Sequence, residues 1–122
     1  MKVLLSIKPE FADKIFNGTK KFEFRRIIFK QRDIDKVIVY ASSPVQRVIG
    51  EFSVEDILSG SVDDVWTLTN HLSGISEIYY RNYFFNKQIA YAIKIGRTLR
   101  YRRNRQLSEY NIDYPPQSYM YL

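Results

Sequence analysis

Gly18-Thr19-Lys20-Lys21-Phe22-Glu23-Phe24-Arg25 changes its hydrophobic period midway, and the rest of the chain can be laid out from that change. Upstream, Phe11, Ala12, Ile15 and Phe16 recur at helical spacing and define one apolar face. Pro9 suits the first helical position, where its missing N–H leaves nothing unsatisfied. Glu10 and Asp13 sit in the first turn, where the helix dipole favours negative charge, and Gly18 is a good stop. Downstream the period becomes two: Phe22 and Phe24 point one way, Lys21, Glu23 and Arg25 the other. A helix therefore gives way to a strand within about two residues, and the charged side chains leave that strand at roughly 6.5–7 Å steps.

A carboxylate between two cations can orient an Arg fork toward a ligand while limiting the net charge of a pocket. Arg suits phosphate or planar base recognition, and Lys supplies a point charge or, when desolvated, a general base. The plainer reading is an exposed, charge-alternating strand face whose ion pairs are each worth little. Spacing alone favours the plainer one.

Working outward, Val3 to Ile7 reads as a short buried strand. Lys36 to Ala41 is another, closed by the turn signal Ser42-Ser43-Pro44. Val45 to Val54 is a longer strand with Gly50 as a bulge or bend, of the kind a barrel of short strands requires. Ser61 is an N-cap with Asp64 at the capping-box position, and Val62, Val65, Trp66, Leu68 and Leu72 form that helix's core face before Gly74 ends it. Ser76 and Glu77 open a second short helix through Tyr79, Tyr80, Tyr83 and Phe84. Ile89 to Ile95 is a late strand that runs on into an arginine block. Pro115-Pro116 then break the chain before a terminal strand, Gln117 to Leu122. This order predicts an α+β fold, a small mixed β-barrel flanked by about three helices, as a single domain over residues 1–122.

Composition narrows the chemistry. A chain of 122 residues that is 45% hydrophobic can build a core, and 16% aromatics with only 5 Gly and 4 Pro argue against disorder. The lack of Cys excludes a disulfide framework, a thiol nucleophile and Cys-based zinc sites, and His71 is the single His. Neither a metal nor a cofactor is expected. The opening Met1 to Lys8 has too short an apolar run for a signal peptide, and no stretch approaches the roughly 18 apolar residues of a membrane span, so a cytoplasmic protein is expected. Lys and Arg number 19 against 13 acids, a net charge of +6 that points to an anionic partner, nucleic acid first. The charges are sorted along the chain: bases dominate residues 1–30, acids hold 51–64, and Arg97, Arg100, Arg102, Arg103 and Arg105 fall together without an acid among them. Two basic blocks and an acidic middle can fold into one positive and one negative face, or into solvated surface.

The ordered motifs resemble the ASCH family, named for homology to activating signal cointegrator. Ile7-Lys8-Pro9-Glu10-Phe11, the helix into Asn17-Gly18-Thr19-Lys20, and Phe22-Glu23-Phe24-Arg25 look like its opening signature. The family pattern Gly-x-Lys-x-x-Glu-x-Arg is matched by Gly18, Lys20, Glu23 and Arg25. Val39 to Pro44, Val48 to Phe52, Tyr91 to Ile95 and Pro115 to Ser118 resemble the later strands, so the similarity runs nearly end to end. The resemblance implies a PUA-like β-barrel that binds nucleic acid, RNA or a single strand for preference, or a nucleotide or nucleoside. It places Lys20, Glu23 and Arg25 along a cleft at the helix–strand junction. Apart from the resemblance, Ser42 and Ser43 terminate a strand and could bond a ligand, though forming the turn is their commoner job. Lys21, Arg26, Arg97, Arg100, Arg102 and Arg103 then supply nucleic-acid contacts. One bacterial branch is an amidohydrolase acting on acetylated cytidine, using a Lys and a Thr of this junction and a distant Glu. Lys20 matches that Lys, but Glu23 stands at the Thr position, so that nucleophile does not carry over. The alternative to a binding module is a small hydrolase of a modified nucleoside or of RNA, with Lys20 and Glu23 as its catalytic pair.

Other residues have blander readings beside these. Tyr101 among the arginines suits base stacking or simply a strand end. Most of the late tyrosines should pack in the core or along its edge. Trp66 reads as core, His71 as surface, and Glu51 with Glu55 as a solvated acidic edge rather than an acid–base pair.

Overall fold

Val3, Leu4 and Leu5 are all buried, so the first strand, β1 (Lys2–Ile7), has core on both faces. In the computed structural model, which describes residues 1–31 and 33–122, β1 is followed by helix α1 (Pro9–Phe16) and strand β2 (Phe22–Arg25). Gly18 ends α1 with φ +87°. Strand β3 (Lys36–Ala41) runs parallel to β1 in register from Lys2 opposite Lys36 to Ile7 opposite Ala41. Two long strands follow, β4 (Arg47–Ser61) and β5 (Ile89–Arg105), joined through helices α2 (Val62–Thr69) and α3 (Glu77–Tyr83). A short strand β6 (Tyr119–Tyr121) returns antiparallel to β1. The expected α+β architecture is present as one six-stranded sheet, ordered β2-β5-β4-β3-β1-β6, with three α-helices packed on it.

The sheet curls. β2 and β6 are its two edges, yet Arg25 on β2 donates to the carbonyl of Ser118, just before β6, at 2.6 Å. Gly50 supports the tight curvature: between Val48 and Gly50 the pairing slips by one residue against β3 and by three against β5, and a Cβ on Gly50 would lie 2.5 Å from the Phe16 ring and 2.6 Å from the Leu99 carbonyl. Three apolar clusters result. Val3, Leu5, Val37, Val39, Phe52 and Ile93 meet Ala12 and Ile15 of α1. Phe22, Phe24 and Ala92 meet Val65, Tyr80 and Phe84 under α2 and α3. Leu4, Ile38, Tyr40 and Tyr101 meet Ile112 on the other side of the sheet.

The predicted cap at Ser61 forms, its hydroxyl accepting from Asp64 N–H at 3.1 Å, and Ser76, read as part of the next helix's start, is that helix's cap, accepting from Tyr79 N–H at 3.1 Å. Several expectations need correction. β4 begins at Arg47 and runs seven residues past Val54, because Ile57 and Leu58 pack on the clusters while the polar Glu55 and Asp56 stand exposed. Leu68 and Leu72 do not belong to the core: they are 60% and 40% exposed. The helix stops at Thr69, which is fully buried and donates its hydroxyl to the Val65 carbonyl at 2.7 Å. The chain then tightens into a 3₁₀ turn, Asn70–Leu72, that rotates the later residues outward. The terminal strand is shorter than read, covering only Tyr119–Tyr121. Among the described residues no helix is long and apolar enough to cross a membrane.

Candidate functional site

The helix-to-strand junction is buried on arrival. Lys20 N–H still donates to the Lys14 carbonyl at the end of α1, and Lys21 N–H donates to the Leu72 carbonyl at 2.9 Å. These bonds draw the Lys20 side chain against the turn that follows α2. Gly74, at φ +71°, lies so close that a Cβ there would meet Lys20 Cβ at 2.6 Å and Cγ at 2.7 Å. The Lys20 amine, on a residue only 2% exposed, donates to the Ser73 carbonyl at 2.8 Å. It sits 4.9 Å from the centre of the Phe24 ring and 5.4 Å from that of Phe11. Burial pushes the amine down to about 8; the neighbouring Glu23 carboxylate opposes the fall and Lys14 adds to it.

Glu23 is also buried, at 6% exposed, so β2 is covered on both faces and is not the solvated charged strand of the plainer reading. Its Oε2 accepts from Arg25 Nη1 at 3.3 Å. The Arg25 guanidinium also donates to the carbonyls of Ser6 at 3.3 Å and Ser118 at 2.6 Å. Much of the fork is thus committed to main-chain acceptors, and Arg25 braces the site.

Around these groups opens a cleft of about 520 Å³. Lys20, Glu23, Phe24 and Arg25 are on its lining, with Lys8 and Phe11 from the start of α1, and Ile75, Tyr79 and Tyr83 from α3 and its approach. Ser6, Ile7, Gln117 and Ser118 line it from β1 and the approach to β6, and Arg26 and Ile27 from the end of β2. Aromatic rings and cations alternate here. Lys8 lies 5.3 Å from the Tyr79 ring centre and Arg26 4.6 Å from that of Tyr83, while Phe11 meets Tyr79 edge-on at 5.1 Å. The cleft therefore offers π faces, a buried ammonium with a single protein acceptor among the described residues, and a carboxylate beside it.

The predicted residues are divided between places. Lys20, Glu23, Arg25 and Arg26 line the cleft. Lys21 is not part of its lining, and Ser42 and Ser43 occupy the turn after β3, where Ser42 N–H donates to the Ile7 carbonyl. Arg97, Arg100, Arg102 and Arg103 lie on the far half of β5; the last three border a separate shallow depression of about 350 Å³. The two basic blocks do not share the cleft. Sequence reasoning missed Lys8, Phe11, Tyr79 and Tyr83 as site residues. The signal for the tyrosines was present: they are spaced i, i+4 on a helix whose other i, i+4 pair, Tyr80 and Phe84, is buried. The residues available here do not assemble a metal centre; among the described residues no group of three His, Cys, Asp or Glu side chains comes together.

A curled sheet with a helix-to-strand junction carrying Gly18, Lys20, Glu23 and Arg25 defines a class. The chain belongs to the ASCH domain family, whose model matches residues 5–98. It is 34% identical over 124 residues to an ASCH domain-containing ribonuclease of Zymomonas mobilis, covering 99% of this chain and 84% of that protein. The crystal structure of ASCH from Zymomonas mobilis superposes with a TM-score of 0.90 at 32% identity, covering 99% of this chain and 87% of that one. A large ribosomal subunit protein uL22 of Ureaplasma parvum is 32% identical over 123 residues, which are 98% of this chain but 39% of that protein. The chain thus spans about two fifths of the length of that relative.

Proposed function

We propose that this chain binds single-stranded RNA and seats one nucleotide in the Lys20–Glu23 cleft. The observation that carries this reading is the Lys20 amine: nearly buried, it donates to Ser73 alone among the described residues, and two of its N–H groups are left for an acceptor-rich guest. Tyr79 and Tyr83 supply π faces on which any base can stack. The cleft volume falls in the range of small-ligand sites. The Zymomonas mobilis relative, named as a ribonuclease, supports RNA as the polymer.

A second reading, cleavage of RNA or of a modified nucleoside at the same site, is favoured by one further observation. An amine brought down to about 8 is partly neutral near physiological pH and is suited to take a proton. In this reading Lys20 is the base, and Glu23 orients the attacking group.

The test is fluorescence anisotropy of a labelled single-stranded RNA against wild type, Lys20→Met and Tyr83→Leu, with product analysis after long incubation. Binding at low salt that weakens about tenfold in each variant supports the cleft as the site. Absence of binding at low salt, or unchanged affinity in both variants, overturns it. Product that forms with wild type and not with Lys20→Met selects the catalytic reading, and intact RNA throughout selects binding alone.

A further inference from the structure

Part of the acidic stretch and the arginine block come to opposite ends of one ribbon, although Glu51, opposite Leu99, lies in the arginine half, held by Lys36 and Tyr101. β4 and β5 pair from Ser61 opposite Ile89 to Val48 opposite Arg105. Glu55 and Asp56 lie toward the first end, where Asp56 pairs with Lys94, and the five arginines lie toward the second. β2 accompanies β5 only from Tyr91 to Lys94, with one more rung from Ile95 N–H to the Lys21 carbonyl. Among the described residues no strand continues on that side, so the half of β5 bearing the arginines has a free edge.

We propose that this edge, Arg97 to Arg105, is a second nucleic-acid surface, gripping the sugar-phosphate backbone of a single strand apart from the cleft. It rests on the reading that the ligand is RNA. The segment spans about 26 Å as extended chain, long enough for several phosphates. Three of its arginines are already engaged, and the first, Arg100, reaches Asp13 at 3.5 Å and lies 5.8 Å from the centre of the Phe16 ring. Arg103 forks onto Glu109 at 2.9 and 3.2 Å, and Glu109 also accepts from Gln106 N–H. Arg105 lies 3.8 Å from the Tyr101 ring centre and donates to the Tyr110 hydroxyl at 3.0 Å. Arg97 and Arg102 are exposed, and among the described residues their side chains make no hydrogen bond or ion pair. Leu99, 56% exposed beside a depression of about 350 Å³, adds an apolar contact for a sugar or base.

Backbone phosphate fits this edge better than an acidic peptide does. A peptide added as a strand needs a regular ladder, and the ribbon's register slips three times between Val48 and Asp56. Planar guanidinium forks need no ladder and match phosphate oxygens directly. Pairing with a second copy through this edge would set arginine against arginine.

The experiment compares a single-stranded RNA of about 12 nucleotides, within the site sizes of single-strand binders, with a mononucleotide across a salt series. The proteins are wild type, Arg97→Gln/Arg102→Gln and Lys20→Met, each checked for wild-type circular dichroism. The double variant should bind the oligonucleotide about tenfold more weakly at low salt, with a log–log salt slope shallower by about 1.4. Its affinity for the mononucleotide should be unchanged. Lys20→Met should lower mononucleotide affinity and leave the oligonucleotide's salt slope alone. A shallower slope in the double variant when no protein binds the mononucleotide keeps this surface and removes the cleft reading. An unchanged slope overturns the surface. So does aggregation of the double variant as its sole change, which would make the arginines edge protection only, or displacement of RNA by polyglutamate at matched charge.

Discussion

The amine of Lys20 and the carbonyl of Ser73 lie 2.8 Å apart across 53 residues of sequence. That bond ties the turn after α2 to the junction between α1 and β2, and it holds a cation where solvent barely reaches.

Its energetic signature is a pH dependence. Lys20 is lowered in the fold to about 8 from an ordinary 10.5, so between those values the unfolded chain binds more protons than the folded one. Folding stability therefore gains as pH rises through that window. Between pH 7 and about pH 9.5 the change in stability of wild type should exceed that of Lys20→Met by about 2 kcal/mol. Urea unfolding of both proteins at the two pH values checks this, since the tyrosines contribute equally to each. Parallel curves would mean that Lys20 keeps its ordinary titration.

Glu23 sustains the charge on Lys20, so its removal should move that titration further down. Glu23→Gln keeps the shape of the side chain and deletes the opposing carboxylate. The Lys20 ε-methylene NMR shift, followed against pH, should titrate below 8 in the variant.

Gly74→Ala should cost about 2–3 kcal/mol and weaken ligand binding together. The added methyl meets the Lys20 stem at 2.6 Å, and the backbone at φ +71° is strained for alanine. Gly18→Ala has a similar φ of +87° but nothing within 4 Å, so it should show the smaller backbone penalty, about 1 kcal/mol, and retain binding. Chemical denaturation and anisotropy on the pair separate the two effects.

Arg25→Lys should loosen the closure of the sheet. Lysine cannot reproduce a fork that serves Ser6, Ser118 and Glu23 at once. Amide exchange at Tyr119–Tyr121 should accelerate about tenfold or more, while β3, in the middle of the sheet, keeps its protection.

Much of the frame was legible because it is local. Pro9, the Phe11–Phe16 stripe and Gly18 define α1 by themselves, and Ser61 and Ser76 announce α2 and α3 by capping. Leu72 misled for a local reason as well: helical spacing extends past Thr69, but the chain tightens there and turns it to solvent, while Leu68 is still within α2, whose buried residues are Val65 and Thr69. The cleft was half legible. Lys20, Glu23 and Arg25 lie within six residues of one junction, whereas Lys8, Tyr79 and Gln117 reach it only through the topology. Nor could the charge pattern show that the arginine block lies along β5 outside the cleft; that depends on how far β2 accompanies its neighbour.

Gln117 and Ser118 complete the rim of the cleft, and they arrive with β6, which is laid antiparallel against β1. The groove is therefore walled only once those two strands, far apart in sequence, have docked. A guest seated there clasps β1 and β6 together, and its occupancy adds resistance to their parting.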